Sequence, residues 1–113
     1  MACKPANNAL ALGEYRGEKS GITEVILLKK DGVFDHSAFR DGKQILSESG
    51  TFTVSPNEVT FVEFTEVYDV IMDAMRPPGK KFNSYAFTYI RDDAFAELKA
   101  DDERKFALIQ WLP

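Results

Sequence analysis

Turn signals cut this chain at short, regular intervals, and no other feature restricts its fold as strongly. Asp31-Gly32 and Asp41-Gly42 are two-residue hairpin signals, because Asp and Gly tolerate the positive φ that such turns demand. Gly13 and Gly17 bracket "EYR", Gly50 opens "TFTV", Ser55-Pro56-Asn57 makes another turn, and Arg91-Asp92-Asp93 and "KADDER" follow. Between them lie "ITEVILLKK", "VFDHSAF", "KQILSES", "EVTFVEF", "FNSYAFTYI", "AFAEL" and "KFALIQWL". A recurrence of about 8–12 residues is that of an antiparallel sandwich or barrel. Roughly eight or nine strands of ~5–6 residues fit the chain if the loops are short, and short local connections favour an up-and-down meander. The expected fold is therefore mainly all-β, a small antiparallel barrel. Nine Phe, four Tyr and one Trp supply a β-rich interior.

One stretch departs from this plan. "TEVYDVIMDAMRPPG" places Val67, Val70, Ile71, Ala74 and Met75 at helical spacing, with Thr65 as a cap and Pro77-Pro78-Gly79 as a stop. The spacing predicts one helix near 65–76. It would cover an apolar outer surface, because several strands are apolar on both faces. Val59 and Phe61 alternate with Val62 and Phe64, and Phe106 and Leu108 with Ile109 and Trp111. Either the helix, through Ile71 and Met75, or a second copy of the chain in a homodimer is expected to pack on the second face.

The 14 basic and 18 acidic residues give a net charge of -4, which opposes nucleic-acid binding. Lys80-Lys81 reads as part of a solvated loop. No apolar run approaches the ~18–20 residues of a helical membrane span. The single cysteine, Cys3, excludes an internal disulfide framework and a Cys-cluster metal site. Ala2 precedes it, as a small residue precedes the acylated cysteine of bacterial lipoproteins. A polar stretch, "KPANNALAL", follows. Residues 1–12 are expected to form a flexible tether, with Cys3 as the lipid anchor of a mature form carrying a start Met, and 13–113 a single barrel domain.

The order of these signals resembles that of small bacterial lipocalin-like envelope proteins, above all the barrel domain of NlpE-type lipoproteins. Tyr15 and Gly17, Asp31-Gly32 with Phe34, Gly50-Thr51-Phe52, and Val59 with Phe61 take the places of that family's successive strand motifs. "YAFTYIRDDAFAEL" is similar to its closing strand pair. The resemblance implies a lipocalin-like barrel, lipid anchorage through Cys3, and residence on the periplasmic face of the bacterial cell envelope. The family's Cys-x-x-Cys pair is missing here, so copper binding and disulfide redox sensing do not carry over.

No catalytic, cofactor or metal residue emerges. His36 stands between Asp35 and Ser37, but adjacent strand residues point to opposite faces, so the three cannot form a local triad. It is expected to be a strand-surface histidine. Glu63 and Glu66 lack a cleft for paired-carboxylate chemistry, and "KADDERK" lacks calcium-loop spacing. Tyr85, Phe87 and Tyr89 form a period-two aromatic stripe that reads either as an inward core face or as a recognition surface. Three functions remain open. The preferred one is a non-catalytic domain binding another protein as a sensor, inhibitor or immunity factor, with an acidic surface suited to a basic partner. The others are a carrier of a small apolar ligand and a structural self-associating module. A tightly filled interior with an exposed aromatic patch would favour the first, and an empty interior the second.

Overall fold

The computed structural model describes residues 11–19, 21–69, 74–91, 95–101 and 104–111. Within them the chain forms eight strands: β1 (Gly13–Lys19), β2 (Ile22–Lys29), β3 (Val33–Arg40), β4 (Lys43–Ser55), β5 (Glu58–Asp69), β6 (Ala74–Arg91), β7 (Ala96–Asp101) and β8 (Arg104–Trp111). Each pairs antiparallel with the next, and β8 returns to β1, closing the barrel in simple sequence order. Asp31, Gly32, Asp41 and Gly42 all have positive φ; Asp41-Gly42 joins β3 to β4 as a two-residue turn, whereas three residues, Lys30–Gly32 in a 3-10 turn, join β2 to β3, one more than the Asp31-Gly32 signal predicts.

The expected helix near 65–76 is replaced by strand. Thr65–Asp69 end β5 and Ala74–Arg76 begin β6, while residues 70–73 lie outside the described residues. Val67, Val70 and Ile71, which stand at helical spacing, are β-branched and also suit a strand, and the pairing of β5 with β6 decided between the two. The prolines are absorbed by an irregularity. Glu66 pairs with Lys80 and Tyr68 with Met75, so Arg76, Pro77, Pro78 and Gly79 bulge out of the ladder, where a missing donor costs nothing.

The apolar second faces are also resolved. In β5, Glu63 adopts φ 60° and resets the alternation, so Phe61 and Phe64 are both buried while Val62 is exposed. In β8, Phe106 is buried, but Ile109 and Trp111 are 53% and 41% exposed, with Arg91 4.6 Å above the indole. No helix covers them among the described residues.

The core is a packed cluster of rings. Phe61 stands 4.8 Å from Phe34, 5.0 Å from Phe64 and 5.2 Å from Phe87, and Phe87 stands 5.6 Å from Phe106. Gly50 makes room for this cluster. A β-carbon there would lie 2.8 Å from the Phe34 ring and 2.7 Å from the Val62 carbonyl oxygen. Ala11 and Leu12 belong to the core as well, and Tyr15 donates its hydroxyl hydrogen to the Ala11 carbonyl at 2.8 Å, so packing includes the two residues ahead of β1. A smaller cluster of Ile22 and Ala38, with Ile45 and Leu46, lies apart from the main one.

Candidate functional site, a buried carboxylate–histidine–carboxylate layer

The two apolar clusters are separated by charge. Along β2 the inward positions are Ile22, Glu24, Ile26 and Leu28, and along β3 they are Phe34, His36 and Ala38. Strand alternation that buries Ile26 and Phe34 must also bury Glu24 and His36. His36 Nε2 lies 2.8 Å from Glu24 Oε1, and His36 Nδ1 lies 2.8 Å from Glu48 Oε2 on β4. The side chains of His36, Glu24 and Glu48 are 0%, 2% and 8% exposed. Phe64 stacks flat on the imidazole at 4.3 Å.

Electrostatics follow from the geometry. A neutral imidazole donates through one nitrogen only, whereas here both nitrogens face a carboxylate oxygen. Burial opposes charge on the ring, but the hydrogen bonds and attraction of Glu24 and Glu48 outweigh it and raise the His36 pKa above the ordinary histidine value. Burial would likewise raise Glu48. The bonds it accepts from His36 and from Thr65 prevail and hold it below the usual carboxylate range. Glu48 is the busiest member: Oε2 also accepts from the Thr65 amide at 2.7 Å, Oε1 accepts from the Thr65 hydroxyl at 2.7 Å, and Lys81 Nζ lies 3.7 Å from Oε1. No buried side-chain polar atom among the described residues lacks a partner.

His36 is therefore not the strand-surface residue expected from its neighbours. Asp35 does face outward, bonded to Lys29 at 2.8 Å and Ser49 at 2.7 Å, so no triad forms with it. The signal for the real cluster was present: Glu24 and Glu48 each stand twelve positions from His36, across the two Asp-Gly turns. Hairpin registers place Ile26 and Glu48 opposite His36. Cross-strand partners, rather than chain neighbours, reveal it.

Of the aromatic stripe, Phe87 and Tyr89 are buried and Tyr85 packs on the core, donating its hydroxyl hydrogen to Glu66 at 2.6 Å. The stripe faces the interior, the first of its two readings. Cys3 lies outside the described residues. The two carboxylates sit on opposite sides of the imidazole instead of converging, and among the described residues no group of three or more His, Cys, Asp or Glu side chains is arranged to hold a metal ion. Beside Glu24, a small cleft of about 10 Å³ lined by Gly17, Glu18, Lys19, Lys105 and Phe106 has room for roughly one water. In comparisons with family models, curated proteins and solved structures, nothing matches this chain.

Proposed function

We propose that this chain is a non-catalytic domain that binds another protein through the outer surface of β6, β7 and β8. The observation that carries this reading is the contrast between its two sides. The interior is occupied by packed rings, whereas Ile90 on β6, Phe95 between β6 and β7, and Ile109 and Trp111 on β8 are 39%, 45%, 53% and 41% exposed. A carrier needs room inside, and large exposed apolar side chains mark contact surfaces. The buried imidazole supports a non-catalytic role, since both of its nitrogens are engaged and neither meets solvent. The net charge of -4 suits a basic partner. In this reading the domain is an NlpE-like envelope lipoprotein held at the periplasmic face by a lipid on Cys3, and Cys3→Ser releases it from the membrane fraction.

A photo-crosslinking residue at Ile109, installed in the full chain in its native cell, tests the surface. One adduct of defined mass is expected from position 109 and none from Thr53, which is exposed on β4. A dimer-sized adduct containing only this chain would assign the face to self-association. Equal adducts from both positions, or none from either, would overturn the proposal.

A further inference from the structure

The charged layer sits where one seam of the barrel changes character. The β4–β5 ladder runs from Ser55↔Glu58 to Thr51↔Val62, and Glu63 then turns β5 out of step. Beyond that point β5 keeps β6 as its partner, from Phe64↔Phe82 to Asp69↔Ala74, while β4 from Gly50 to Lys43 keeps β3. Across the seam the Thr65 amide meets a side chain, the Glu48 carboxylate, in place of a strand carbonyl. Glu48 thus does the work of a backbone acceptor, with the difference that a carboxylate titrates.

We propose that Glu48, held in its charged form by His36, is a proton-operated latch that fixes the β5–β6 arm to β4. In the closed state Glu48 accepts three hydrogen bonds, from His36 Nδ1–H and from the Thr65 amide and hydroxyl. A proton taken from water by Glu48 removes the charge that strengthens all three and places a hydrogen on an oxygen that was accepting. A proton lost to water by the imidazolium leaves one nitrogen as a lone pair facing a carboxylate, and the layer must rearrange. The arm is therefore held across an intermediate pH range and loosened on both sides of it.

The charged and titratable groups described around the layer fit this account. Glu24 faces the imidazole from β2 and Glu48 from β4, while Lys81 on β6 approaches Glu48. Glu66 on β5 is engaged by Tyr85 of β6, and Glu18, Lys19 and Lys105 line the cleft from β1 and β8. That cleft reaches Glu24 from the surface and offers protons a way in.

Amide hydrogen exchange and NMR titration of the full chain test the latch. Between roughly pH 4.5 and 6.5, the ordinary carboxylate and histidine values, both His36 ring nitrogens are expected to carry protons. The Thr65 amide is expected to lose about tenfold in protection once Glu48 titrates, in step with the Glu48 carboxyl carbon shift, while β2 amides keep theirs. In Glu48→Gln, the Thr65 protection is expected to be independent of pH. Thr65 protection unchanged through both titrations, or lost together with β2, would overturn the latch. So would the same pH dependence persisting in Glu48→Gln. Should that variant not fold, the unaltered chain decides alone.

Discussion

Phe34 and His36 are two residues apart on one strand, both are fully buried, and both touch Phe64, yet they stabilise the barrel in different ways. Phe34 belongs to a ring cluster whose stability comes from removing apolar surface from water and filling space, contributions that scale with volume and tolerate similar shapes. His36 belongs to a layer in which each group is tolerable only because the others are present. Desolvating three charges costs several kcal/mol per ion, and their mutual hydrogen bonds offset that cost only when the set is complete. The ring cluster should fail gradually when altered, and the charged layer all at once.

The largest expected effect separates the two layers at nearly constant volume. His36→Leu should destabilise the chain by about 3–5 kcal/mol, since it leaves Glu24 and Glu48 buried without their shared donor. Phe61→Leu, at the centre of the rings, should cost less than about 2 kcal/mol. Equal losses in denaturant titrations would erase the distinction. The contrast sharpens in a combined variant. Adding Glu24→Leu and Glu48→Gln to His36→Leu should recover about 1–4 kcal/mol, because no charge is then buried unpaired and Gln can still accept from the Thr65 amide. A triple variant less stable than His36→Leu alone would break the all-or-none account.

Below the ordinary tyrosine range, pH should act on the charged layer and not on the ring cluster. The raised His36 pKa contributes stability that is complete below the ordinary histidine value and is lost as pH rises through the raised one. The lowered Glu48 pKa contributes stability that is complete above the ordinary carboxylate value and is lost as pH falls through the lowered one. Thermal stability should therefore be highest between about pH 4.5 and 6.5. The triple variant should show a flatter profile. A maximum well above that range would contradict the charged imidazole.

The smallest effect belongs to the outer face. Trp111 is 41% exposed and meets the Arg91 guanidinium, so Trp111→Ala should cost about 0.5–1 kcal/mol, the scale of an exposed cation–π contact. A loss of 3–5 kcal/mol, the size associated with a fully buried large aromatic, would place this side chain in the core after all.

The turn chemistry made the meander legible. Asp-Gly pairs demand positive φ, short loops demand neighbouring antiparallel strands, and alternating Phe52/Val54 and Ile26/Leu28 define an interior. Two departures from simple local patterns hide the rest. "TEVYDVIMDAM" satisfies helical spacing over too short a window to exclude a strand, and pairing of Thr65, Glu66, Tyr68 and Asp69 with Lys81, Lys80, Met75 and Ala74 settled the matter. Glu63, with φ 60°, broke the alternation of β5 in a way that a glutamate does not advertise.

What the sequence by itself determined is the order of strands and the hairpin turns, because those depend on chemistry within a few residues. It also held the spacing of Glu24, His36 and Glu48, twelve positions apart on either side of the histidine. Only the tertiary structure decided that this spacing matters. A carboxylate in water and a carboxylate sealed under Phe64 and Thr65 are the same letter in a sequence, and the protonation of His36 depends on which of the two it meets. Pairing of the strands made that choice: β2, β4 and β5 bring Glu24, Glu48 and Phe64 against one imidazole on β3, and every buried polar side-chain atom among the described residues finds its partner within the chain.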